Sequence, residues 1–293
     1  MKILVIVNLR AGRGKAAEHL EIIRRKLKKG NEFKVYVTQS KEQTLCFVRE
    51  KCRGFDMIIV VGGDGTLNEV LNGYMASECD VPLGYIPAGS TNDFANTLKL
   101  ESDPEKACDI FLRMNTRKLD VGCLNGTYYS YVAAAGAFSA TSYNTPAKLK
   151  NKIGHMAYIL GGLTSIPTIK PQHMRITIDG EVYEDDYLIV AVSNSTSVGG
   201  VFTYEEAMVT LDDGMFEVAL LKSPEQLNEI GSVLKEVFSH EYAGDYFTVI
   251  SGTRITIESP KPVSWSLDGE YGGEYYVTEI ENHHGALNLL VQS

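Results

Sequence analysis

The sequence predicts a chain in two parts, an α/β half built on an open parallel sheet and then a mainly antiparallel β half. Three observations lead there. Up to about Lys118, short apolar β-branched runs that lack polar alternation, as expected of strands covered on both faces, alternate with segments of helical spacing. Beyond Lys118 the strand-like segments are joined by Asn-Gly and Asp-Gly pairs, which favour the tight turns of hairpins. The length of 293 residues accommodates two ordinary domains, and a short crossover near Asp120 divides them into 1–120 and 121–293.

The elements follow in order. KILVIVN (2–8) reads as a buried strand, LRAGRGK as a glycine-containing loop, and AAEHLEIIRRKLKKG as a helix with Leu20, Ile23 and Leu27 on one face and Gly30 as its stop. FKVYVTQ (33–39) is a second strand, followed by a helix carrying Leu45, Val48 and Cys52. FDMIIVV (55–61) is a third, and the helix after Gly65 presents Leu67, Val70, Leu71 and Tyr74. PLGYIPAG (82–89) is a fourth and leads into STNDFANTLKL. Ligands of such a sheet gather at the carboxyl ends of its strands. In the second half, KLDVGCLNGTYYSYVAAAG, HMRITIDGEVYEDDYLIVAVSN, GMFEVALLK, FTVISGTRITIES, VSWSLDGEY and GALNLLVQ supply strands. Two helices interrupt them, one around 146–165 and one in SPEQLNEIGSVLKEVFSH, with Ser223 as N-cap, Pro224 in the first turn and Gln226 completing a capping box.

A formal charge of −9 argues against a general nucleic-acid binder, which needs a basic face to displace phosphate counterions. Cys46, Cys52, Cys79, Cys108 and Cys123 are odd in number and form no C-x-x-C pair, pointing to reduced cytosolic thiols rather than a disulfide or zinc framework. No segment approaches the roughly 20 apolar residues of a membrane span, so a cytoplasmic protein is expected.

Two junctions could carry chemistry. IIVVGGDGTLNEV runs from a strand through Gly62, Gly63, Asp64 and Gly65 into a helix, offering backbone N–H groups and a helix N-terminus to an anion. Asp64 repels a phosphate unless it binds Mg²⁺ or accepts a hydrogen bond, and the stretch alone is equally a tight turn in which Asp64 caps the helix. GYIPAGSTNDFANTL repeats the arrangement, with Ser90, Thr91 and Asn92 as donors and Asp93 as acceptor. Together with NLRAGRGK after the first strand, the two loops converge on one crevice and favour a nucleotide.

At this point the chain resembles the diacylglycerol-kinase catalytic family of lipid kinases, which includes the bacterial soluble diacylglycerol kinases, the YegS-like lipid kinases and sphingosine kinases. The resemblance is carried by NLRAGRGK (8–15), VVGGDGTLNEV (60–70), GYIPAGSTNDFA (84–95), LDVG (119–122), VSNSTSVGG (192–200), TLDDGMFEV (210–218) and WSLDGEYGG (265–273), in the family's order. GGDGT alone is shared with NAD kinases and phosphofructokinases; followed by PAGSTNDFA and a late D-G-E it is specific.

The resemblance implies an NAD-kinase- and phosphofructokinase-like nucleotide domain, a β-sandwich second domain and ATP in the cleft between them. It implies nucleotide contacts at Asn8, Thr38, Gly62, Gly63, Asp64, Gly65, Thr66, Leu67, Asn68, Ser90, Asn92 and Asp93. Glu270 matches the proposed general base and acts with Asp64; Asp64, Asp93 and Asp120 match the active-site Mg²⁺ and water network. Thr210, Asp213 and Met215 match a separate structural Mg²⁺ site, Thr210 and Met215 through backbone carbonyls. Leu9 stands where the family's first motif has proline, and further departures lie in or near the lipid-facing half.

The implied activity is ATP- and Mg²⁺-dependent phosphorylation of a hydroxyl of a lipid such as diacylglycerol, in phospholipid metabolism. Rival readings are a kinase of phosphatidylglycerol or a long-chain base, a NAD kinase, and a non-catalytic nucleotide- or lipid-binding regulator. A lipid acceptor requires transient contact with a membrane surface. Lys148, Lys150 and Lys152, ahead of the apolar stretch to Leu163, could supply it, or could be the solvated end of an ordinary helix. Nucleic acid is not expected as a partner, and a homodimer stays open.

Overall fold

The structure, a computed structural model, describes residues 1–136, 170–198, 202–204, 209–239 and 242–292. The helix expected around 146–165, with Lys148, Lys150 and Lys152, lies outside the described residues. Met1–Val121, Tyr128–Ser130 and His283–Ser293 make one compact unit, and Gly122–Thr127 with Tyr131–Asn282 make a second.

In the first unit β1 (Lys2–Val7), β2 (Glu32–Val37), β3 (Met57–Gly62) and β4 (Leu83–Pro87) form a parallel sheet in the order β4-β3-β1-β2. The end of the last strand, β15 (Glu270–Leu290), joins it beside β4 with Leu289 opposite Leu83. β1 and β3 are buried almost throughout, as their unalternated apolar sequences require of strands covered on both faces. α1 (Lys15–Leu27) and α5 (Pro104–Phe111) cover one face through a core that includes Val5, Ile23, Leu27, Ile59 and Phe111. α2 (Lys41–Lys51) packs against α3 (Asp64–Ala76), and α4 (Asp93–Thr97) is a single short turn after the fourth strand. α3 begins one residue earlier than a cap at Asp64 would allow: Gly63 is the N-cap and Asp64 the first helical residue. No helix among the described residues is long and apolar enough to cross a membrane.

β5 (Thr116–Leu124) and β6 (Thr127–Tyr129) are joined at Asn125-Gly126. The second unit contains β7 (Val132–Gly136), β8 (Gln172–Ile178), β9 (Glu181–Ser193), the short pair β10 (Ser197–Val198) and β11 (Phe202–Thr203), β12 (Phe216–Lys222), β13 (Phe247–Gly252) and β14 (Arg254–Leu267), with the start of β15. Its main order is β13-β12-β9-β7-β14-β15, and these neighbours pair antiparallel. β9 and β14 are long enough to pair with β8 along one half and with β7 along the other. The Asn-Gly and Asp-Gly signals turn as their chemistry dictates: Asn125-Gly126, Asp179-Gly180 and Asp268-Gly269 each hold both residues at positive φ.

Two expectations need correction. The helix placed from Ser223 starts as α6 (Ile230–Ser239) after a 3₁₀ turn at Leu227–Glu229. The Ser223 N–H is held 2.8 Å from the Asp186 carbonyl, so this residue prolongs β12 rather than capping a helix. The separate strands read in VSWSLDGEY and GALNLLVQ are parts of β14 and of one long β15; the pairing of β14 shifts register between Glu258 and Val263, where Pro260 and Pro262 withhold N–H groups from the ladder.

Candidate active site

Three loops meet at the amino end of α3. Asn8, just past β1, sends its Nδ2 to Thr66 Oγ1 at 3.2 Å and accepts the Arg10 N–H on its Oδ1 at 3.1 Å, tying the first loop to the third strand's helix. Gly12, at φ +59, lies so close to the following loop that a Cβ there would stand 2.2 Å from the Ala88 carbonyl oxygen. Gly89 in turn abuts Gly63, and a Cβ on Gly89 would come within 2.6 Å of the Gly63 Cα. Asn92, at φ +55, fixes this second loop by accepting the Gly89 N–H at 2.9 Å and donating to the Gly89 carbonyl at 3.1 Å. Thr38, at the end of β2, donates its N–H to the Val7 carbonyl and so stands beside the end of β1. Ser90 is exposed. The result is a surface of bare backbone at the positive end of a helix.

Of the acids, Asp64 accepts the Asp93 backbone N–H on its Oδ2 at 3.3 Å. Tyr85 below them donates to the Gly62 carbonyl at 3.2 Å, and burial, then the charge of Asp64, raises its phenol pKa. The buried carboxylate of Asp120 accepts from Gly285 N at 2.7 Å and bonds His284 Nδ1 at 2.9 Å. A carboxylate only accepts here, so Nδ1 carries the proton. Asn68, four residues into α3, turns its amide to the Tyr128 carbonyl at 3.1 Å. Asn72, one helical turn further on, both donates to that carbonyl and accepts the Tyr128 N–H, each at 2.9 Å. The Tyr128 ring meets His283 edge-on at 5.3 Å. Asn72 and His284 were not singled out from sequence; the spacing of Asn68 and Asn72 on one helical face was the available signal for the first.

In the second unit Glu270 is exposed at the head of β15, directly after the Asp268-Gly269 turn. That turn is rigid. Asp268 is only 4% exposed and its Oδ1 accepts the Tyr131 and Val132 N–H groups at 3.0 and 3.2 Å, while its own N–H donates to the Val132 carbonyl. Trp265, fully buried in β14, pairs with Gly273 of β15. The segment 210–217 forms a second acidic locus: Asp213 Oδ1 accepts the Met215 N–H at 2.9 Å, and the Met215 carbonyl accepts from Asn282 Nδ2 at 3.2 Å. Glu217, two residues on, is 3% exposed, and burial followed by the charge of Asp213 pushes its carboxyl up to about 8.

Residues 2–124 match the family described as diacylglycerol kinase catalytic domain, and residues 132–291 match the YegS C-terminal NAD kinase beta sandwich-like domain. A diacylglycerol kinase of Bacillus subtilis is 33% identical over 92% of this chain and 89% of its own length. One from Staphylococcus aureus is 32% identical over 92% and 86%. The crystal structure of a candidate diacylglycerol kinase from Bacillus anthracis superposes with a TM-score of 0.81 at 28% identity, covering 99% of this chain and 95% of that one. Two domain matches in the right order, and relatives above 30% identity over most of both chains, show the family: the chain belongs to the diacylglycerol kinase family of lipid kinases, phosphotransferases with an alcohol acceptor.

Proposed function

We propose that the protein is an ATP- and Mg²⁺-dependent kinase of a diacylglycerol-type lipid. The observation that carries this reading is the mutual contact of three side-chain-poor loops at the start of α3, where Gly12 meets Ala88, Gly89 meets Gly63 and Asn8 bonds Thr66. Such a surface suits the oxygens of a triphosphate, which take backbone N–H donors and the positive end of a helix. Asp64 and Asp93 would repel that ligand by themselves; carboxylate oxygens are the donors a hard divalent cation takes, and these are the residues that would hold one. When bound, Mg²⁺ neutralises charge on the triphosphate.

The chain's own residues do the rest. The loop N–H groups orient the γ-phosphoryl group, and Glu270 accepts a proton from the lipid hydroxyl. The hydroxyl oxygen forms a bond to the γ-phosphorus, the bond from that phosphorus to the β–γ bridging oxygen breaks, and ADP leaves with the electron pair. Anchoring of the Asp268 turn supports Glu270 as a base whose position costs little to maintain. Asp120 and the 210–215 turn would serve a Mg²⁺ and water network and a structural cation. Diacylglycerol as acceptor rests on what the relatives are named for.

The test is ATP consumption by the full chain against diacylglycerol, phosphatidylglycerol, a long-chain base and a polyprenol in mixed micelles. Turnover is expected with diacylglycerol, and Glu270→Gln should reduce it by about 10²- to 10⁴-fold while nucleotide affinity is largely kept. Unchanged turnover in that variant would remove the base assignment. ATP binding without turnover on any lipid would leave a nucleotide-binding regulator.

A further inference from the structure

We infer that Asn194 is a positioning residue for Glu270, acting through the backbone of Tyr131; this rests on the reading of Glu270 as the base. Asn194 belongs to VSNSTSVGG, a block to which neither the loops nor the acids above give a task. It is the first residue beyond β9 and is 5% exposed. The ladder between β7 and β9 ends at the pair Val132 and Ser193, so Tyr131 and Asn194 stand one step past it, where strand pairing no longer holds the chain.

Three hydrogen bonds carry order past that point. Asn194 Nδ2 donates to the Leu211 carbonyl at 3.2 Å and fixes residue 194. The Asn194 N–H donates to the Tyr131 carbonyl at 3.0 Å. The Tyr131 N–H donates to Asp268 Oδ1 at 3.0 Å, and Asp268 sets the turn across which Glu270 pairs with Leu267. Glu270 is exposed, so its carboxylate takes its place from this backbone rather than from packing around it. Tyr131, Asn194 and Asp268 are buried, so water is a poor substitute for any bond that is lost, and a group set free there shifts until it finds a partner. A base displaced by about 1 Å loses on the order of 10²-fold in rate. The bond from Asn194 Nδ2 is the one that can be removed without altering Tyr131 or the hairpin itself.

The experiment compares wild type with Asn194→Ala and with Asn194→Asp, an isostere that cannot donate to the Leu211 carbonyl. With diacylglycerol in mixed micelles each should lower kcat by about 10- to 100-fold, while the KM for ATP stays within about 2-fold. In the Glu270→Gln background the same changes should lower the residual turnover by less than about 2-fold, because a residue that acts through Glu270 then has no base to position. Hydrogen exchange of the Tyr131 and Val132 amides should be faster in Asn194→Ala than in wild type, under conditions where urea unfolding shows both to be folded. If Asn194→Asp does not fold, Asn194→Ala carries the comparison. Wild-type kcat in a folded Asn194 variant would overturn the inference, as would an equal loss in both backgrounds, which marks a general structural role. Wild-type turnover in Glu270→Gln alone would instead remove the base, and this inference with it.

Discussion

Alanine at Gly89 tests the loop contact on which the nucleotide reading depends. Its Cβ would stand 2.6 Å from the Gly63 Cα and 2.8 Å from Asn92 Oδ1. Carbon atoms pack at about 3.5–4.0 Å, so the Gly63 backbone would have to retreat by about 1 Å. Asn92 cannot swing aside without giving up its two bonds to Gly89, at 2.9 and 3.1 Å. Overpacking of this size costs about 1–3 kcal/mol. A displacement of about 1 Å in a phosphate-positioning loop costs on the order of 10²-fold in rate. Gly89→Ala should therefore lower the urea midpoint, weaken ATP binding and depress lipid phosphorylation together. Gly54→Ala is the control, since its Cβ would meet nothing within 4 Å. Wild-type stability and ATP affinity in Gly89→Ala would refute the reasoning, because the two loops would then have room that the contact denies them.

Asp268→Ala removes the acceptor of two buried N–H groups at the Glu270 hairpin and should destabilise the chain by about 1–3 kcal/mol per group, read by urea unfolding, with kcat falling more than ATP affinity; Asp268→Asn, which keeps an acceptor and tolerates positive φ, should lose less. His173 is held above its usual pKa by hydrogen bonds to Asp186 and then Glu184. A raised folded-state value means its contribution is complete below the unfolded pKa of about 6.5 and is lost as pH rises through the folded value. The gap in urea midpoint between wild type and His173→Gln should thus be present at about pH 6 and close at about pH 9, and a gap independent of pH would exclude the ion-pair origin.

The parts of the fold legible in the sequence are those decided by neighbours along the chain. Unalternated β-branched runs marked β1 and β3, and Asn125-Gly126, Asp179-Gly180 and Asp268-Gly269 marked their turns, because a strand's burial and a turn's handedness are written into adjacent residues. What was missed depends on partners far away in sequence. Asn72 is 56 residues from the Tyr128 backbone it clamps, and His284 is 164 from Asp120. Local propensity also misplaced the start of α6, because it does not see Asp186 holding Ser223 in strand geometry. Glu217 is the instructive case. In FEVALLK a glutamate next to phenylalanine fits the solvent side of an alternating strand, yet β12 is paired on both edges and buried at every position from Phe216 to Leu221. A lone acid inside an otherwise apolar run is therefore better read as a buried group than as a surface position, and its burial is what raises its carboxyl pKa.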